Sequence, residues 1–321
     1  MRATLFDEVR HGAAWVVERA RSVTIRSDRI AAYCAGLAID DRALPTLDPR
    51  HHYLGRGLDT AAFLLILDTV NFGSGYFPHL QKLPGLSGYF TVATHLTEQF
   101  RDHGCPSPEA LAALDLDDCR AMFHQDAGDE VADELMSLFS RALNELGELL
   151  IRRYHGSYAG FLEAADGSAE QLARNLAQLA LFDDRQSYRG ARIAFFKRAQ
   201  LAAADLYLAF GGTGHGRFDD IFSLTIFADN LIPHVLRCDA ILEYAPELAA
   251  RIDEQRLIAR DSTEEIELRA SAVVAVERMV DQLRASGRPT TALHLDYLLW
   301  NRGQQAMYKA RPRHRARSWS Y

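Results

Sequence analysis

Long apolar runs are missing from this 321-residue chain. The longest, AAFLLILDTV (61–70), carries an acid and falls well short of the ~20 residues a membrane-spanning helix needs. The N-terminal MRATLFDEVRHGAAWVVERA has acids and arginines where a secretory leader needs an unbroken apolar stretch, so no leader is expected. Cysteine is scarce. Cys34, Cys105, Cys119 and Cys238 form no C-x-x-C pair and no zinc spacing with histidine. Reduced thiols in a cytoplasmic setting fit this usage best, and no metal is expected.

Phosphate-gripping glycine motifs are lacking too. FGGTGHGRF (210–218) spells neither G-x-G-x-x-G nor G-x-x-x-x-G-K, and its glycines are expected to end a helix and make a turn. Ser74 in FGSGYF lacks the G-x-S-x-G elbow of serine hydrolases. No series of alternating runs joined by Asn-Gly or Asp-Gly marks β-hairpins. Nor is there an excess of positive charge. The net charge is -7 and the pI about 5.9, which argues against long nucleic acid as the main ligand. A single small anion needs only two or three donors and is not excluded.

Helical periodicity fills the rest. SPEALAALDLDDCRAMF opens on Ser107 as cap and Pro108 at the first helical position. DEVADELMSLFSRALNELGELLIRRY reads as one long amphipathic helix, acidic early and basic late. RIAFFKRAQLAAADLYLAF reads as a helix that stops at Gly211. DSTEEIELRASAVVAVERMVDQLRASG begins with a capping box of Ser262 and Glu265 and ends at Gly287. The class is all-α and multi-helical, one continuous domain over 1–321, either undivided or in two helical lobes near 1–150 and 151–321 with a cleft between them. The basic tail KARPRHRARSWSY is either a docked or frayed end or a phosphate-steering patch.

Four stretches invite chemistry, each against a plainer reading. In HLDYLLWNRGQ (294–304), Asp296, Tyr297, Trp300 and Asn301 fall within an arc of about 140° on a helix, with Leu295, Leu298 and Leu299 opposite. An exposed face seldom combines Trp and Tyr with an acid, so the helix is either buried on both sides or lines a pocket. In LTIFADNLIPHVLR (224–237), Asp229 is a helix N-cap or a pocket acid beside Phe227. Lys197 and Arg198 in AFFKRAQLAAADLY are a solvated basic spot or an anion clamp, with Arg198 and Asp205 two turns apart on one face. His51 and His52 in DPRHHYLGRG are surface residues or ligands of an anion or metal. LPGLSG (83–88) has the wording of a hairpin that grips a DNA phosphate, or of any tight turn.

Taken in order, HHYLG, LDTVNFGSGYF, FFKRAQLAAADLY, TIFADNLIPHVLR, EEIELRASAVVAVE and LDYLLWNRG resemble the queuosine salvage protein family, the queuosine-5′-phosphate N-glycosylases. The resemblance runs from about residue 50 to 305. It implies a fold similar to the helical, helix-hairpin-helix DNA glycosylases, acting on a free nucleotide. It implies hydrolysis of the N-glycosidic bond of queuosine 5′-monophosphate to release queuine for tRNA modification, with no cofactor and no membrane or polymeric nucleic-acid partner. Carried over residue by residue, Phe227 and Asp229 meet the base, Asp296 and Tyr297 line the same pocket, and Trp300 packs beside them. His52, or else His51, reaches the nucleotide, and Lys197 holds the phosphate. Position 301 faces the sugar. There the family tends to read LWD and this chain reads LWN. An amide cannot offset an oxocarbenium ion by charge. Either Asp229 or Asp296 carries the charge here, or the chain turns over slowly.

Overall fold

The computed structural model describes residues 3–39 and 44–321. In chain order these form α1 (Leu5–Val17), β1 (Val23–Ile25), α2 (Ser27–Ala35), α3 (Leu58–Val70), α4 (Gly88–His103), α5 (Pro108–Ala113), α6 (Leu116–Met122) and α7 (Glu130–Tyr154). There follow α8 (Tyr158–Glu163), α9 (Ala169–Leu176), β2 (Arg185–Tyr188), β3 (Ala191–Ala194), α10 (Lys197–Phe210), α11 (Leu231–Cys238), β4 (Leu242–Tyr244), α12 (Pro246–Asp253), α13 (Thr263–Ala285), α14 (Ala292–Gly303) and α15 (Ala306–Lys309). The fold is all-α with two very small sheets. No helix among the described residues is long and apolar enough to cross a membrane. All four cysteines are free thiols, Cys34 and Cys119 buried.

The chain divides into two compact units, neither of them a continuous half of the sequence. The first combines residues 1–45, 184–197 and 222–317. Its centre is α13, buried on nearly every side. Ser262 caps it by accepting from the Glu265 amide, while the Glu265 carboxylate turns back to the Asp261 amide rather than to the cap's own. Gly287 follows its end with φ +75°, the left-handed turn a glycine supplies without strain. The three buried charged residues of α13, Glu265, Glu267 and Arg269, each have specific partners. Glu267 accepts from the Arg21 and Ser22 amides and from the Tyr188 hydroxyl. Helices α1, α2, α11 and α14 pack around it.

Both sheets belong to this unit. Strands β1 and β4 pair antiparallel, Val23 opposite Tyr244, and β2 and β3 form a hairpin closed at Arg189–Gly190. Residues 192–194, expected to begin a helix, thus lie in strand β3; α10 starts only at Lys197, after Phe196 turns the chain with φ +51°. A strand of four residues is too short to set up the alternation that distinguishes it from a helix.

The second unit combines residues 46–183, 198–221 and 318–321. Its axis is α3, whose residues from Thr60 to Val70 are all buried, which accounts for the apolar run with no clear face. The long helix α7 is one element as expected, capped by Asp129 on the Val131 and Ala132 amides. The stretch after Ser107 is two helices rather than one. It breaks at Leu114, where Asp115 begins a second capping box with Asp118. The carbonyls freed at that break are taken by α7, with Ser140 and Asn144 donating to Leu114 and Asn144 also to Leu111. Glycines 211, 212 and 214 terminate α10 with positive φ, as the motif reading anticipated.

Candidate active site

Helix α14 starts at Thr291, whose hydroxyl accepts from the His294 amide. This fixes which residues turn inward. Leu295 and Leu299 are fully buried, and so is Asp296, at 3% exposure. Tyr297 and Trp300 are half-buried, and Asn301 is exposed. The 140° arc therefore spans the passage from core to surface: Asp296 and Trp300 lie one turn apart on the inner stripe, Tyr297 and Asn301 on the next. Asn301 stands at the rim of a cavity of about 240 Å³, together with His294, Tyr297, Leu298, Thr290 and residues 38–39 and 44–45.

Opposite Asp296 lies the segment Phe227–Asn230, held by a separate bond at every residue. The Phe227 amide donates to Asp296 Oδ1 at 2.8 Å. The Ala228 carbonyl accepts from Arg269 Nε at 2.8 Å. Asp229 Oδ1 accepts from the Leu231 and Ile232 amides at 2.7 and 3.1 Å. Asn230 Nδ2 donates to the His314 carbonyl. Asp229, the residue before the N-cap Asn230, thus serves the first amides of α11 and is a neighbour of Asp296 at once. A cap uses one carboxylate oxygen and leaves the charge in place. The Phe227 ring meets Tyr297 edge to face, with centroids 6.2 Å apart.

The electrostatics follow from this packing. Burial pushes the Asp296 carboxyl well above the usual carboxylate range, and the charge of Asp229 pushes it further. The Phe227 amide and the Lys197 cation pull in the other direction without cancelling the rise. Lys197 is buried rather than solvated, and its backbone amide donates to Asp184 Oδ2. Asp184 in turn forms a fully buried, two-pronged ion pair with Arg269, at 2.8 and 2.6 Å. The Arg269–Asp184 pair braces both Ala228 and Lys197. It escaped the sequence reading, although an arginine inside ELRASAVVAVE, where a core helix is expected, was the available signal. Arg313, from the basic tail, also lies near enough to Asp229 to sense its charge.

Lys197, Phe227, Asp229, Asp296, Tyr297, Trp300 and Asn301 belong to the first unit; His51 and His52 belong to the second. His52 is buried, with both ring nitrogens engaged. Nδ1 meets the Asp48 carbonyl at 2.9 Å and must therefore carry the proton, so Nε2 accepts from the Tyr89 hydroxyl at 2.9 Å. Burial lowers the affinity of the His52 ring for a second proton. The Tyr89 hydroxyl is held far above its ordinary range by burial and by the nearby Asp205 and Asp68. His51 is half-buried against Phe90 and bonded to Thr94 Oγ1 at 2.8 Å.

Arg198 is neither a solvated spot nor an anion clamp. It is 2% exposed, donates to the carbonyls of Asp68, Thr69 and Leu181, and lies between the rings of Phe72 and Phe182. LPGLSG forms a turn at Gly85 leading into α4, with no helix immediately before it.

A buried carboxyl beside a half-buried one, an aromatic corner and a buried lysine thus come together in the first unit. The sequence pattern of queuosine salvage proteins matches residues 51–321, and the chain belongs to that family. It is 34% identical to a Sphaerobacter thermophilus protein over 95% of both chains, 29% identical to one from Dictyostelium discoideum over 96% of both, and 28% identical to one from Mus musculus over 96% and 97%. Each of these relatives carries the name queuosine 5′-phosphate N-glycosylase/hydrolase.

Proposed function

We propose that this protein hydrolyses the N-glycosidic bond of queuosine 5′-monophosphate and releases queuine. The observation that carries this reading is the carboxyl pair: Asp296, buried and raised, beside Asp229, with Phe227 tied to Asp296 through its own amide. A carboxyl raised by burial, beside a second carboxyl, can take the acid role and leave the charge-bearing role to its neighbour.

The division runs as follows. The base stacks against the Phe227–Tyr297 corner. As the bond from the sugar C1′ to the ring nitrogen breaks, its electron pair leaves with the base and positive charge grows on the sugar. Asp229 faces that charge as a carboxylate. Asp296, which holds a proton more readily than an ordinary carboxyl, donates it to an acceptor on the departing ring other than position 7, which carries no nitrogen. Water then adds to C1′ and returns its proton to a carboxylate. Lys197 supplies charge for the phosphate. Trp300 packs beside the pocket, and the uncharged Asn301 contributes hydrogen bonds alone.

Incubation with queuosine 5′-monophosphate should release free queuine, detected by mass. Asn301→Asp should leave that release within about tenfold, because the carboxyl pair and not position 301 carries the charge. Absence of queuine from both forms across pH 5–9 would refute the reading.

A further inference from the structure

Away from the carboxyl pair, on the second unit, three metal-binding side chains converge on one spot. His95, Glu98 and His124 each present a donor atom, and all three atoms lie within 4.8 Å of one another. His95 and Glu98 are three residues apart on α4 and so share a face, with His95 Nδ1 3.2 Å from Glu98 Oε2. His124 follows the last turn of α6, and its ring lies over that of His95 with centroids 4.4 Å apart. No protein hydrogen bond to the His124 ring nitrogens is seen among the described residues. We propose that these three residues form a binding site for a divalent first-row transition ion, with zinc the expected occupant.

The donor set is selective. Two imidazoles and a carboxylate suit zinc and its neighbours and discriminate against magnesium and calcium, which take oxygen ligands. Around a tetrahedral ion with bonds near 2.1 Å, the donors stand roughly 3.4 Å apart, so the set closes with about an ångström of movement. Glu98 and His124 are exposed and can make it, and their exposure gives the ion its way in. The fourth position is left to water.

The backbone that carries His124 is held in place beforehand. Gln125, buried at 6% exposure, donates through Nε2 to the carbonyls of Phe123, His124 and Gln81, and accepts through Oε1 from the Gln81 amide. A ligand fixed by its surroundings loses less freedom on binding. The bound ion would join α4 to the turn after α6, two elements that otherwise touch lightly.

Calorimetric titration of the chelator-stripped, full-length protein with zinc chloride tests the site. One equivalent should bind with a micromolar Kd, and Glu98→Gln and His124→Asn should each weaken it about tenfold or more. Asparagine suits the left-handed backbone at 124, where φ is +51°. Cobalt bound in place of zinc should show ligand-field bands without a thiolate charge-transfer band, which separates this site from any involving Cys238. No saturable uptake, a thiolate band, or zinc affinity unchanged in either folded variant overturns the proposal. Hydrolysis of queuosine 5′-monophosphate is read separately, so its absence leaves the metal result standing.

Discussion

Asp296 departs far from what its residue type predicts. Its carboxyl is raised in the folded protein, so the folded state keeps a proton that the unfolded chain gives up near pH ~3.9. Stability therefore falls as the pH climbs from that value to the folded pKa, and the whole loss persists above it. Asparagine in its place keeps an oxygen for the Phe227 amide and has no charge to bury. Asp296→Asn should accordingly melt higher than the parent at pH 8, by ~2–4 °C for each ~1 kcal/mol recovered, with the gap narrowing toward pH 5. Queuine release should drop by about 100-fold or more in the same variant. Thermal melts at the two pH values check the first part; a variant that melts lower at pH 8 would mean that its carboxylate is well compensated. An active site that costs stability where it carries charge is a common trade. The sequence told that Asp296 stood among aromatic residues. It did not tell that Asp229 raises it, because those two lie 67 positions apart and only the fold brings them together.

At the scale of elements, the close approach of α5 to α7 depends on one missing side chain. A Cβ added at Gly147 would sit 2.6 Å from the Ala112 amide nitrogen and closer still to the Pro108 carbonyl, both backbone atoms that cannot swing aside. Gly147→Ala should gain a little helix propensity and lose far more to overpacking, a net destabilisation of ~1–3 kcal/mol in chemical denaturation. A neutral result would show that α5 moves as a free flap. Helices of this kind were legible wherever a cap and a long apolar stripe agreed, as in α7 and α13. The capping signal at Asp115 was equally present, yet the stripe continuing from α5 into α6 concealed the break, since periodicity over a window averages through a two-residue interruption. The short strands were illegible for a different reason. The pairing partners of β1 lie more than two hundred residues away, and no local pattern records such a contact.

For the molecule as a whole, the basic tail is a structural member rather than a loose steering patch. His314, Ala316, Ser318, Ser320 and Tyr321 are all buried, alternating with more exposed neighbours. Residues up to 317 serve the first unit, where the His314 carbonyl holds Asn230 beside the carboxyl pair and the Arg315 carbonyl accepts from the Ile258 amide. The last four serve the second, where the Tyr321 carbonyl accepts from the Gly73 amide in the NFGSGYF stretch. Composition left a docked or frayed end and a steering patch both open, because the arginines dominate it and most of the buried residues between them are small. Removing residues 314–321 takes away an acceptor from each unit and bares apolar surface in both, at about 25 cal/mol for every Å² uncovered. The truncated protein should melt several degrees lower and hydrolyse more slowly, with loss of turnover already measurable below its melting temperature because Asn230 loses its anchor. Conservative changes that only neutralise the arginines, such as Arg311→Gln with Arg315→Gln, should leave both properties near those of the parent, since the tail's contribution runs through backbone carbonyls and small buried side chains. If the charge changes proved as damaging as the truncation, the tail's role would be electrostatic after all.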